Sequence, residues 1–134
     1  MNIFEKVKSL NFPTGQYVVV GSGILEAKGI RETHDVDVVV TPELFEKCKT
    51  EGWEQVPWTY EKIDQIYLKK GEFEVYLDVN CRDFNPTFSE LIQRAETIDD
   101  ITFASLQDTI NFKRAYNKPK HLADLKLIEK YLQK

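Results

Sequence analysis

The chain's patterning predicts an α+β (α/β) fold, a mixed β-sheet backed by helices with a helical pair closing the C-terminus. Three observations carry that expectation. Short β-branched runs, Tyr17 to Val20 and Asp35 to Val40, are interleaved with helical patterns in the first half. A tight-turn signal at Lys70-Gly71 joins two alternating segments in the middle. After Ser105 the pattern turns helical and is interrupted once, at Lys118-Pro119, because a residue before proline avoids helical geometry.

The elements follow in order. Ile3, Val7 and Leu10 form one helical stripe with Phe4 beside it, and Asn11 to Gly15 break it. Tyr17 to Val20 reads as a short buried strand ending at Gly21-Ser22-Gly23. A short helix is expected over 24–28, ended by Gly29, and Asp35 to Val40 is the second strand. Thr41-Pro42-Glu43 supplies an N-cap, a first-position proline and a first-turn acid. The helix over 43–51 buries Leu44, Phe45 and Cys48 and stops at Gly52. Trp53 to Val56 is a short strand, and Asp64 to Lys69 and Glu72 to Asn80 are the hairpin strands. In the longer of these, Phe73, Val75, Leu77 and Val79 share one face, and Glu74, Tyr76, Asp78 and Asn80 share the other. Asn85-Pro86 makes a loop, Thr87 to Ala95 a helix, and Ile101 to Phe103 a short edge strand. Ser105-Leu106-Gln107-Asp108 resembles an N-cap box with Asp in place of Glu or Gln, and opens a helix carrying Ile110, Lys113 and Arg114. The last helix sets Leu122, Leu125 and Ile128 or Glu129 in periodic positions.

The length, 134 residues, suits one domain, with a sheet core over 1–104 and helices over 105–134. The longest apolar runs, VVV at 18–20 and 38–40, fall far short of a membrane span, and MNIFEKVKSL lacks an apolar signal-peptide core. A cytoplasmic location with no membrane partner is expected. Cys48 and Cys81 show no metal-ligand or redox spacing and read as reduced structural thiols. The net charge of −4 is unevenly spread. Residues 111–134 hold seven Lys or Arg against two acids, a balance of +5, and the rest of the chain stands at −9. A basic C-terminal segment facing an acidic body suggests an anionic ligand bridged by metal. The distal Lys130 and Lys134 read as a solvated helix face. No aromatic-basic interleaving or recognition-helix pattern favours base-specific nucleic-acid binding.

The chemistry centres on Asp35 and Asp37. Strand side chains alternate, so both carboxylates share a face while Val36, Val38 and Val40 turn to the core. Two such carboxylates repel, which raises one pKa unless a cation lies between them. Magnesium suits the pair, because it takes hard oxygen ligands and keeps waters and phosphates in its shell. A third carboxylate would complete a two-ion clamp for phosphoryl or nucleotidyl transfer. Asp78 is the first candidate and Glu74 the reserve. The bland alternative is an acidic solvent face. Gly21-Ser22, following a buried strand, offers close backbone approach and hydroxyl and amide donors to a phosphate, aided by the dipole of any helix starting there. The bland alternative for Gly21 and Gly23 is a simple tight turn, and of the two Gly23 carries the less weight as a site residue.

VVVGS at 18–22, DVD at 35–37 and LDV at 77–79, in that order, resemble the nucleotidyltransferase superfamily that includes DNA polymerase beta and small bacterial nucleotidyltransferases. Gly29-Ile30-Arg31-Glu32-Thr33 is similar to the Gly-x-Arg-x-Thr of one branch, and FKRAYNKPKHLADLKLI at 112–128 to a helical segment of the same branch, which includes nucleotidyltransferase-type toxins. The resemblance implies a nucleotidyltransferase-like sheet and transfer of a nucleoside monophosphate from an NTP to a hydroxyl or phosphate acceptor, with pyrophosphate released. Gly21 and Ser22 would hold the triphosphate, and Asp35 and Asp37 would bind Mg2+. Asp78 would serve a second Mg2+ ion or act as base. Lys113 would contact phosphate with Lys120 assisting, and Arg31 would either hold phosphate or tie its loop to an acid. Asp124 is read as a structural partner between helix and loop, and His34 as facing away from the acids. The chain departs from the pattern at Gly23-Ile24-Leu25-Glu26-Ala27, where minimal antitoxin-type relatives carry Ser-x-Ala-Arg-Gly. It departs again at His121, where relatives commonly have Asp. The acceptor is expected to be a protein, a tRNA or a small molecule, held by a partner protein or by a second subunit of a homo-oligomer. The competing expectations are a catalytically inactive nucleotide-binding member and an interaction module in a toxin–antitoxin pair.

Overall fold

The order of elements explains where a cleft is left in the molecule. The structure, a computed structural model, describes residues 1–60 and 63–133. Helix α1 (Ile3–Leu10) is followed by β1 (Tyr17–Val20), α2 (Gly23–Ala27), β2 (Val36–Val40) and α3 (Pro42–Thr50). Three strands come next, β3 (Glu54–Tyr60), β4 (Ile63–Lys70) and β5 (Phe73–Tyr76). Then come α4 (Phe88–Arg94), β6 (Glu96–Ile98), β7 (Ile101–Phe103), α5 (Leu106–Tyr116) and α6 (Pro119–Leu132). The strands form one mixed sheet in the order β3-β4-β5-β2-β1-β7-β6, with β1–β7 and β2–β5 parallel and the other pairs antiparallel. This is an α+β architecture. Among the described residues no helix is long and apolar enough to cross a membrane.

The two faces of the sheet are covered unequally. On one, Val19, Val36, Val38, Val40, Val75 and Phe103 pack with residues of α1, α2, α3, α5 and α6 into the main core. Each of these side chains contributes about 1.5–3 kcal/mol of burial. On the other, Val18, Val20 and Val39 meet a smaller cluster built on Leu91 of α4. The remainder of that second face lines a cavity.

Local chemistry sets most element ends. Thr41 accepts the Leu44 N–H at 3.3 Å, as an N-cap followed by proline should. Asn117 ends α5 in the left-handed conformation and Lys118 is extended before Pro119, which produces the expected break between α5 and α6. Ser105 caps α5 through the Asp108 N–H, but the Asp108 carboxylate is turned to Arg94 at 2.9 Å, so the reciprocal half of the box is absent. Cys48 is buried on the inner face of α3, and neither it nor the buried Cys81 is in a disulfide among the described residues.

Four expectations are corrected. The strand predicted over Glu72 to Asn80 stops at Tyr76, because its parallel partner β2 ends one step later and Thr41 opens α3. Leu77 is left 46% exposed, so the alternation read beyond that point has no sheet to refer to. The strand expected over Trp53 to Val56 runs instead from Glu54 to Tyr60, and Pro57 is tolerated because β3 is an edge strand. Ile101–Phe103 is interior, paired with β1 on one side and with β6 on the other, and the edge is β6. The β6–β7 turn at Asp99-Asp100 has φ of 50° and 64°, the left-handed geometry a two-residue hairpin loop demands. Finally, α6 buries His121, Asp124 and Ile128, while Leu122 is 45% exposed. Lys130 is exposed as expected, and Lys134 lies outside the described residues.

Candidate functional site

The cavity on the open half of the sheet has a volume of about 470 Å3 and collects acids along one wall. Asp37 lies beside Val20 of β1 and in register with Glu74 of β5. Its neighbours Val36 and Val38 are fully buried on the opposite face, so the carboxylate must point into the cavity. Burial first, then the charges of Glu74 and Asp35, push the Asp37 carboxyl up to about 7, against the pull of Lys120 and Lys113. Asp35 is exposed just ahead of β2 and lines the same space. Glu74 accepts a hydrogen bond from the Tyr76 hydroxyl, which burial and that bond together hold protonated. Asp78 also lines the cavity, but it lies past the end of β5 and its Oδ1 accepts the Asn80 N–H at 3.1 Å. The third acid held in register with Asp37 is therefore Glu74. His34, expected to face away, precedes β2 and lines the cavity.

Gly21 meets two demands at once. Its φ is +69°, and a Cβ there would lie 2.9 Å from the Asp37 Oδ2. The turn's backbone thus rests against the carboxylate. Gly23 is buried inside α2, with no positive φ, and a Cβ would meet Val19 Cγ1 at 2.5 Å. Helix packing requires it, and a tight turn does not. Helix α2 has five residues, too few to supply much of the dipole expected behind Ser22.

The opposite wall is cationic and hydrogen-bonded. Arg31 donates from Nε to Asp124 Oδ1 at 2.7 Å and from Nη2 to Oδ2 at 2.9 Å, a two-pronged pair. The Lys113 ammonium, 1% exposed, donates to Asp124 Oδ2 at 3.0 Å and to Ser22 Oγ at 3.1 Å. Arg31 Nη2 reaches the same hydroxyl at 2.9 Å. Burial would raise the Asp124 carboxyl, yet the hydrogen bonds from Arg31 and Lys113 overcome it and hold it at about 2. Burial also lowers the Lys113 pKa, with Asp124 opposing. His121 sits with Nδ1 3.5 Å from the Lys113 ammonium, and burial and that charge lower it to about 4, leaving the ring neutral at pH 7. Two cations share one carboxylate here, so the cluster keeps a net positive charge. The exposed Lys120 lines the same cavity and adds to it.

Arg31 is thereby tied to an acid, Asp124. Thr33 is fastened too, its N–H and hydroxyl donating to Glu26 Oε1 at 2.9 and 3.0 Å. Sequence reasoning missed two aromatic rings in the cavity wall, Trp58 on β3 and Tyr67 on β4, which join Tyr76 of β5 there. Their signal was the alternation of β3 and β4, which shows a face but not what that face meets.

Among the described residues no group of three or more His, Cys, Asp or Glu side chains is arranged to hold a metal ion by itself. Magnesium needs no such cage, since one or two carboxylates with waters and substrate phosphates suffice. The hard oxygens of Asp35 and Asp37 fit that chemistry. No protein-family model, curated protein or solved structure matches the chain.

Proposed function

We propose that this chain is a magnesium-dependent nucleotidyltransferase that moves a nucleoside monophosphate from an NTP to a hydroxyl or phosphate acceptor and releases pyrophosphate. The observation that carries the proposal is one cavity with Asp35, Asp37 and Glu74 on one wall and Lys113 and Lys120 on the other. The resemblance of VVVGS, DVD and LDV to the nucleotidyltransferase superfamily supports the same reading.

Asp35 and Asp37 would hold Mg2+, with Glu74 or Asp78 serving a second ion. Bound there, the metal supplies charge neutralisation at the α-phosphate and at the leaving oxygen. The chain's own residues do the remainder. Lys113 and Lys120 attract the β- and γ-phosphates, and the absence of a side chain at Gly21 lets the turn's backbone lie against Asp37. Arg31 acts through Asp124 and Ser22, which position Lys113. In the transfer, the acceptor oxygen bonds to the α-phosphorus while the bond to the bridging oxygen breaks. Pyrophosphate leaves with that electron pair, and the acceptor's proton passes to Glu74 or Asp78.

A second reading, nucleotide binding without transfer, draws on two observations. Ser22 and both cations already engage Asp124, and Asp78 caps Asn80. Pyrophosphate release from each NTP, measured over a panel of protein, tRNA and small-molecule acceptors, separates the two. Magnesium-dependent turnover is expected, falling to background in Asp35→Asn/Asp37→Asn. Unchanged turnover in that double variant would sink the enzyme reading. Tight binding with no turnover by the wild type would put the second reading in its place.

A further inference from the structure

The cavity is zoned across the sheet. Tyr67 and Tyr76 are stacked with ring centroids 5.0 Å apart, and Trp58 meets Tyr76 edge-on at 6.4 Å. The β3–β4 and β4–β5 registers bring these rings to the face that carries Glu74. All three are only half-buried, unlike the apolar residues on the covered face of the sheet. Going from β1 through β2, β5 and β4 to β3, the wall changes from cation-linked hydroxyl (Ser22) to carboxylate (Asp37, Glu74) to aromatic ring. Neighbouring strands are about 4.8 Å apart, so the rings begin roughly 5–10 Å beyond Asp37. A nucleoside triphosphate has the same order: terminal phosphates, α-phosphate, nucleoside.

From this zoning we infer that Trp58, Tyr67 and Tyr76 form the seat of the nucleotide's base, an assignment that rests on the nucleotidyl-transfer reading. With the terminal phosphates on the cationic side, beside Ser22 and the exposed Lys120, and the α-phosphate at Asp37, the nucleoside extends over β5 and β4. The Tyr76 hydroxyl is committed to Glu74, which fixes that ring and removes its polar tip from base recognition. The base is then held by its π-face, which every base possesses, so discrimination among the four NTPs is weak. Phe112 belongs to the other wall. It packs edge-on against His121 at 6.0 Å, on the phosphate side of the cavity.

Calorimetric binding of ATP and of inorganic triphosphate to the full chain, each with magnesium, tests the assignment. Trp58→Ala and Tyr67→Ala are expected to weaken ATP about tenfold, as loss of base stacking does, and to leave inorganic triphosphate unchanged. Trp58→Phe and Tyr67→Phe keep a ring and should retain ATP. Trp58→Leu and Tyr67→Leu fill the strand positions with apolar bulk but no π-face, and should lose ATP like the alanine variants. Wild-type protein should bind all four NTPs with similar affinity. Unchanged ATP affinity in the alanine and leucine variants overturns the assignment, leaves the wall to the acceptor and spares the nucleotidyl-transfer reading. Equal loss of both ligands also overturns it, because the rings would then act through the fold. Failure of the wild type to bind either ligand would bring down the nucleotide reading, and this assignment with it.

Discussion

Asp124 is the residue on which the cationic wall depends. It is 5% exposed, and it is the acid that Arg31 and Lys113 share. Removing the charge from one side of a buried pair leaves the other uncompensated, at a cost of about 3–5 kcal/mol. Asp124→Asn is therefore expected to lose stability on that scale in urea unfolding. Lys113 has nowhere to shed its charge except by deprotonation, since its ammonium is enclosed by Ser22, His121 and Asp124. Asp78 and Glu74 show the opposite limit of residue-level reading. Both are acids of one alternating run, yet only Glu74 lies in register with Asp37. Register is a relation between two strands and has no mark in either one alone.

Among the elements, the β6–β7 hairpin is the least conspicuous in the sequence. Its turn is Asp99-Asp100, without the glycine that usually marks a two-residue loop. Asp99 also forms an ion pair with Lys8 at 3.2 Å, so Asp100 is the position open to change. A non-glycine residue in left-handed geometry costs roughly 1–2 kcal/mol, with Asp at the low end, and glycine's extra unfolded-state freedom returns about 0.5. Asp100→Gly should therefore stabilise the protein by about 0.5 kcal/mol in equilibrium unfolding, and a destabilised variant would contradict the hairpin geometry. Helix α6 carries the converse lesson. Its leucines suggest an inner stripe at Leu122 and Leu125, but the helix turns Asp124 and His121 inward to meet Lys113, and leaves Leu122 in solvent. One ion-pair cluster thereby outweighs a single leucine contact.

At the scale of the molecule, two strongly shifted groups act on stability with opposite slopes between pH 4 and 7. His121 titrates near 4 when folded against an ordinary 6.5, so the unfolded chain takes up a proton the folded one refuses. That contribution is lost as pH falls from 6.5 to 4. Asp37 titrates near 7 when folded against an ordinary 3.8, so the folded chain keeps a proton the unfolded one has released. That contribution is lost as pH rises from 3.8 to 7. The wild type should show a shallow profile between pH 4 and 7. His121→Gln should become less stable as pH rises through this range, and Asp37→Asn more stable up to about pH 6.5, in urea midpoints taken across the range. Parallel profiles for the two variants would refute the assignment. The chain by itself determined the helix caps, the α5–α6 break at Lys118-Pro119, the buried strands and the side of β2 on which Asp37 lies. Each of these follows from dihedral preference or from alternation within a few residues. Only the tertiary structure decided that β5 stops at Tyr76, that Glu74 stands beside Asp37, that Arg31 and Lys113 converge on Asp124 and that Trp58, Tyr67 and Tyr76 share one wall of the cavity. Those outcomes depend on strand order and on contacts between residues up to about a hundred positions apart, where local pattern carries no information about distance.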